Sequence, residues 1–169
     1  HKNTVKKLWS LLQENDQLYL SKYAGWYSIS DEAYYLENEV EELDGKKISK
    51  SSGSEVTWME EESFFFKLSD WQKPLLDFYK NNPNFIQPES RKNEVISFVS
   101  GGLKDLSVSR TTFNWGIEVP NSKKHVMYVW LDALTNYLSA TNYFDNHNGF
   151  WPANVHIIGK DILRFHAVY

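Results

Sequence analysis

Hydrophobic positions along the chain change period several times. Val5, Leu8, Trp9 and Leu12 fall at i, i+3, i+4 and i+7, which predicts an amphipathic helix opening just after Asn3 and Thr4, both suited to an N-cap. From Leu18 to Tyr35 the apolar residues are aromatic or β-branched and set among Gly25, Ser28, Ser30 and Asp31, a pattern of strands and turns. Between Glu37 and Glu55 the chain turns acidic, then basic, then Ser- and Gly-rich, and reads as an exposed loop or hairpin. Trp71, Leu75, Phe78 and Tyr79 restore helical spacing, and Val95, Val99 and Leu103 give it again behind Pro88 at a first turn.

After Gly101-Gly102 the pattern predicts alternation: a buried strand from Val126 to Trp130, a helix from Ala133 to Tyr143, a strand from Val155 to Ile158, and a helix from Asp161 onward. That is the signature of an α/β protein with a parallel sheet. The last helical pattern is still running at Ile162, Phe165, His166 and Tyr169 without a stop signal, so the expectation is a chain truncated inside a domain.

Composition narrows the class. The 169 residues suffice for one ordinary domain or for a small domain joined to part of another. Apolar residues at 41% and aromatics at 16%, with charges of both signs, belong to a folded core. Eighteen basic against twenty-two acidic residues give a net charge of −4, which removes the usual electrostatic basis for non-specific binding to DNA or RNA. There is no cysteine, hence neither a disulfide nor a thiolate zinc site, and a cytoplasmic location is expected. No apolar run approaches the roughly 20 residues of a membrane span, so no membrane partner is expected, and the chain opens without a signal-peptide pattern.

Candidate chemistry gathers in the second half. Gly159-Lys160-Asp161-Ile162 stands where a predicted strand turns into a helix, the place where open α/β sheets bind ligands. For an isolated occurrence, Asp161 is more often only an N-cap. Ile162 and His166 are four apart and share a helix face, as do Ala133 and Tyr137. Two such faces beside adjacent strand ends can line one pocket, although a core histidine and packed aromatics have the same spacing.

Leu106-Ser107-Val108-Ser109-Arg110-Thr111, Phe113, Trp115-Gly116-Ile117, Val119-Pro120, Tyr128-Val129-Trp130-Leu131-Asp132-Ala133, Asn136-Tyr137, Phe150-Trp151-Pro152-Ala153, Gly159-Lys160-Asp161-Ile162 and Phe165-His166 follow one another in the order and spacing of a known family. They resemble the methionyl-tRNA synthetases, class I aminoacyl-tRNA synthetases. Gly25-Trp26-Tyr27, Asp31-Glu32-Ala33-Tyr34-Tyr35 and Glu61-Glu62-Ser63-Phe64-Phe65-Phe66-Lys67-Leu68 resemble the connective insertion of the same enzymes.

The resemblance implies a partial Rossmann-type class I catalytic fold with an inserted mixed α+β connective domain: residues 1–14 as a helix leading into the insertion, 15–104 as the connective domain, and 105–169 as part of the second half of the catalytic fold. It implies ATP-dependent ligation of methionine to tRNA through methionyl-adenylate, with Mg2+ accompanying ATP. Trp130, Ala133, Leu134, Tyr137, Ile162 and His166 would line the methionine pocket, where an unbranched thioether gains from ring edges. Leu134 stands where some relatives have proline. Gly159 and Asp161 would meet the adenosine ribose, and Arg110 would act in activation through its fixed guanidinium. Such residues work by orientation and electrostatics rather than as covalent nucleophiles.

Two departures matter. Many relatives begin a zinc knuckle with C-x-x-C where this chain has Ser28-Ile29-Ser30-Asp31, so it resembles the zinc-free members and no structural zinc is expected. Lys47-Ile48-Ser49-Lys50-Ser51 looks like the phosphate-gripping K-M-S-K-S loop, yet it precedes Gly159 by more than a hundred positions, where the family's loop follows that segment; it reads as a decoy in a polar loop. The family's H-I-G-H-type segment would lie upstream of His1, so the chain alone is expected to be inactive. The rival readings are a separate connective module for tRNA acceptor-end binding or editing, and a class I synthetase for isoleucine, valine, leucine or cysteine.

Overall fold

The computed structural model describes residues 1–31, 33–35, 37–112, 114–145 and 149–169, without the side chains of Tyr23, Ala33 and Tyr34. Of the motif residues, Glu32 and Phe113 lie outside the described residues. The chain divides into two compact units, residues 20–63 and residues 1–19 with 64–169.

In the smaller unit, strand β1 (Leu18–Ser28) pairs antiparallel with β2 (Ala33–Tyr35). Strand β3 (Val40–Leu43) forms a hairpin with β4 (Lys46–Ser49), so the segment read as a loop or hairpin is a hairpin. Its two-residue turn is Asp44-Gly45, both with positive φ (53° and 76°), as the twist of a two-residue hairpin demands. Trp26 organises this unit: its indole N–H donates to Glu37, its ring meets Trp58 edge-on at 5.4 Å, and Lys47 lies 5.7 Å from it. Strand β5 (Thr57–Phe66) carries the chain into the larger unit.

The larger unit opens with α1 (Lys2–Glu14). The helix starts earlier than Asn3 and Thr4 suggest, because Val5 N–H already bonds the His1 carbonyl at 3.0 Å and no side chain caps it. Helices α2 (Gln72–Asn81) and α3 (Glu89–Ser100) follow, the second capped by Pro88. Leu103 falls beyond the end of α3, past Gly101-Gly102, yet is buried. Short strands β6 (Leu106–Ser107), β7 (Ser109–Arg110) and β8 (Glu118–Val119) precede β9 (Ser122–Met127); β6 pairs with β5, and β7 and β8 flank β9. Helix α4 (Val129–Ala140) comes next, and a single 3-10 turn, Lys160–Ile162, leads into α5 (Leu163–Ala167).

Two cores hold this unit. Leu68, Tyr79, Val95, Val99, Leu163 and Val168 join α2, α3 and α5. Val5, Trp9, Leu18, Val108, Ile117 and Met127 join α1 to the sheet around β9. Each fully buried aliphatic side chain contributes about 1.5–3 kcal/mol, and Val5, Val95 and Val99 are at most 1% exposed. Trp9, 0% exposed, meets Phe64 edge-on at 5.3 Å. Ser109 Oγ links two chain segments by accepting Phe64 N–H at 2.8 Å and contacting His125 Nδ1 at 3.0 Å.

The expected parallel sheet is not what forms: the fold is mixed α and β, and every strand pair with a described register is antiparallel. The strand expected at Val126 to Trp130 ends at Met127. Tyr128 N–H makes the last bond across the sheet, to Val108 at 2.8 Å, and its carbonyl then accepts Leu131 and Asp132 to start α4. A short apolar run cannot distinguish these outcomes by period. Among the described residues the segment Val155 to Ile158 has no ladder partner and forms no strand; Val155 is 73% and Ile157 96% exposed, while Ile158 packs on the α2–α3–α5 core.

Candidate functional site

Helix α4 and the 3-10 turn with α5 bring most of the anticipated residues together. Trp130, in the first turn of α4, stacks on Phe165 of α5 with centroids 3.7 Å apart and planes 17° from parallel. Phe165 in turn meets Tyr169 edge-on at 5.3 Å. Two turns along α4 from Trp130, Tyr137 Oη lies 2.8 Å from His166 Nε2, while His166 Nδ1 lies 2.9 Å from the Ile162 carbonyl. A carbonyl only accepts, so Nδ1 carries the proton; in the neutral ring Nε2 then accepts the phenol proton of Tyr137. The shared faces inferred from i, i+4 spacing therefore meet through one hydrogen-bonded chain, Tyr137–His166–Ile162.

Trp151 and His156 complete that aromatic cluster: Tyr137 lies 6.3 Å from the Trp151 ring, nearly parallel to it, and meets His156 edge-on at 4.8 Å. Neither was selected from the sequence as a site residue, nor were Phe165 and Tyr169. Phe165 and Trp151 stood inside recognised motifs, whereas nothing in the local pattern marks His156. Ala133 and Leu134 lie between Trp130 and Tyr137 on α4, Ala133 exposed and Leu134 half-buried; Ile162 is half-buried.

Asp161 and Gly159 sit at the exposed turn before α5. Asp161 is not an N-cap: the capping positions are Gly159 for the 3-10 turn and Ile162 for α5, and no side chain caps either. Gly159 has an ordinary φ of −68°, and a Cβ there would meet nothing within 4 Å. Backbone conformation thus does not require glycine, and the open space leaves room for close approach of a ligand. Asp161 lines a cleft of about 340 Å³ with Glu94, Lys160, Arg164, Phe165 and Tyr169. Burial raises the Tyr169 phenol above its ordinary value; Arg164 opposes this and Tyr128 adds to it.

Arg110 belongs to β7. From β7 its Nη1 donates to Ser107 Oγ at 2.7 Å and to the Ser109 carbonyl at 2.9 Å, and its guanidinium lies 4.3 Å from the Tyr128 ring. Tyr128 is the N-cap of α4, so Arg110 is held near the helix start, two residues before Trp130.

The Lys47–Ser51 and Ser28–Asp31 segments are both engaged locally. Ser49 is fully buried and its Oγ accepts from the N–H of Ser51 and Ser52; Lys50 Nζ donates to the Asn38 carbonyl at 2.7 Å, and Lys47 faces Glu42 at 3.9 Å. At the knuckle position, Ser28 Oγ contacts Ser30 Oγ, and Asp31 accepts the hydroxyls of Tyr35, Ser52 and Ser54. Those bonds lower the Asp31 carboxyl, led by Ser52. One carboxylate already bonded through both oxygens, among hydroxyls, does not suit zinc. Among the described residues no group of three or more His, Asp or Glu could hold a metal ion.

The family model described as tRNA synthetases class I (M) matches residues 42–169, which include α4, the Asp161 turn and α5. This chain belongs to that class I synthetase family. The resemblance read from the motifs is thereby borne out. A methionine–tRNA ligase of Rickettsia conorii is 58% identical over 172 aligned residues, covering all of this chain and 33% of the relative. One of Rhizobium meliloti is 58% identical and is covered to 34%. The chain spans about a third of the length of these curated relatives. Among solved structures, a Mycobacterium tuberculosis methionyl-tRNA synthetase bound by methionyl-adenylate superposes with a TM-score of 0.90 at 51% identity, over all of this chain and 34% of that one. The free form of that enzyme gives 0.89. No helix of the described synthetase chain is long and apolar enough to cross a membrane.

Proposed function

We propose that this chain is the part of a methionine–tRNA ligase that walls the methionine and adenosine pocket, in an enzyme that joins methionine to its tRNA through methionyl-adenylate at the expense of ATP carried with Mg2+. The observation that carries this reading is the union of α4 with α5, by the Trp130–Phe165 stack and the Tyr137–His166 hydrogen bond, beside a cleft holding the exposed carboxylate of Asp161. Trp130, Ala133, Leu134, Tyr137, Ile162 and His166 would enclose the thioether, whose sulfur gains from ring edges. Their two polar groups, the Tyr137 phenol and the His166 imidazole, would disfavour purely aliphatic rivals. Asp161 would accept from the ribose hydroxyls, with Gly159 leaving room for the sugar, and Arg110 would support developing charge during activation.

By the same reading residues 15–104 are the connective insertion, 1–14 lead into it, and 105–169 belong to a Rossmann-type catalytic fold, in which a neighbouring segment would supply the partner that Val155 to Ile158 lacks. This division follows chain order and differs from the packing, since α2 and α3 share a core with α5. The enzyme would be cytoplasmic and need no structural zinc.

Methionine-dependent exchange of pyrophosphate into ATP by the full-length protein tests the proposal. Exchange with methionine well above that with isoleucine, leucine, valine or cysteine is expected. Exchange with another amino acid in preference to methionine would overturn it, and the 169-residue chain alone should give none.

A further inference from the structure

Arg164 has no part in the function proposed above, yet it is held in an unusual way. Its guanidinium lies 4.2 Å from the centroid of Phe98. Along α3, Arg91, Glu94 and Phe98 fall at i, i+3 and i+7, one stripe of the helix, and Glu94 and Arg164 both line the 340 Å³ cleft that holds Asp161. Glu94 is the acid on that stripe and is already engaged, 2.6 Å from Arg91 Nη1. Among the described residues Arg164 makes no hydrogen bond or ion pair through its side chain. Lys160 supplies a second cation on the same cleft.

A guanidinium resting on a ring is fixed in orientation while its N–H donors, which lie in its own plane, stay available at the rim. Fixing the side chain beforehand lowers the entropy that a ligand must overcome. Such a fork, beside a lysine and next to a neutralised Glu94–Arg91 pair, matches the geometry of a phosphate better than that of a neutral group. We infer that Arg164, anchored on Phe98, is a phosphate-binding residue of this cleft, holding a nucleotide phosphate beside Asp161. The inference rests on the adenosine placement proposed above. The phosphate comes either from ATP or from the 3′ strand of tRNA, and both present the same anionic oxygens to the fork.

The test uses the full-length protein with Arg164→Met, Arg164→Lys and Phe98→Leu. Pyrophosphate exchange gives KM for ATP and for methionine, aminoacylation gives KM for tRNA, and a melting temperature accompanies each variant. Loss of a charge-assisted hydrogen bond should raise the KM of the phosphate-bearing ligand about tenfold or more in Arg164→Met, leave KM for methionine unchanged, and be only partly rescued by Lys. Phe98→Leu should cause a smaller rise in the same KM. A rise confined to ATP assigns the phosphate to ATP, and a rise confined to tRNA assigns it to the acceptor strand. Unchanged KM values for both, whatever the melting temperature does, overturn the inference. Wild-type protein without methionine-dependent exchange would instead sink the functional reading on which it rests.

Discussion

Replacing Tyr137 by phenylalanine isolates a single hydrogen bond at the centre of the candidate site. The phenol donates to His166 Nε2 across 2.8 Å, and the imidazole is otherwise fixed by Nδ1–H on the Ile162 carbonyl at 2.9 Å. Phenylalanine keeps the ring against Trp151 and His156, so no cavity opens and only the hydroxyl is lost. A neutral hydrogen bond of this kind contributes about 1 kcal/mol. If its role is to orient the imidazole toward the thioether, the same quantity appears as about a fivefold rise in KM for methionine. The cost in stability should lower the melting temperature by no more than about 2–4 °C for a body of this size. The assay is pyrophosphate exchange by the full-length enzyme with methionine and ATP varied separately, beside thermal melts. An unchanged KM for methionine with a lowered melting temperature would mean that the bond holds the fold alone. An equal rise for ATP and methionine would refute the assignment of this pair to the amino-acid pocket.

Asp161→Asn should do the reverse, raising KM for ATP about tenfold with little change for methionine or in melting temperature, because the carboxylate is exposed and caps neither turn; an unchanged KM for ATP counts against the ribose assignment. Tyr79→Phe should lower the stability measured by denaturant titration by about 1–3 kcal/mol, the range for leaving a buried acceptor unpaired, since the Tyr79 hydroxyl donates from α2 to the Ala167 carbonyl in the core. Burial also pushes Tyr79 up to about 12 from 10.0, so the stability it contributes is complete below pH 10 and is lost as pH rises through about 12, which absorbance titration of the phenols will read. Asp31 is lowered, chiefly by the Ser52 hydroxyl. Burial pushes Asp105 up, but bonds from Ser69 and Tyr19 prevail and leave it lowered. Both carboxylates therefore stabilise the chain above the ordinary value of 3.8, and that contribution is lost as pH falls through their lower folded values. Limited proteolysis along an acid series should show the Asp31 turn opening only below pH 3.8, and opening near pH 6 would contradict its hydroxyl bonds.

Periodicity alone was sufficient for α1, α2 and α3, because each carries its core stripe within its own sequence: Val5 and Trp9, Leu75 and Tyr79, Val95 and Val99. The ordered motifs likewise carried the family, since side-chain identity at fixed spacing is a local property. Four-residue spacing also placed Ile162 with His166 and Ala133 with Tyr137, because a helix brings such pairs to one face whatever surrounds it. The structure decided what depends on partners distant in the chain. Val155 to Ile158 has the composition of a strand but, among the described residues, no neighbour to complete its ladder, and Val129 to Leu131 turned helical once Tyr128 had spent its N–H on Val108. Asp161 does not cap a helix because it lies inside a 3-10 turn, Lys160–Ile162, whose capping position is Gly159. The Trp130–Phe165 stack, the approach of His156 to Tyr137 and the seating of Arg164 on Phe98 join residues 19 to 66 positions apart. No local pattern encodes such contacts, because they arise only when helices and loops distant in the chain pack against one another.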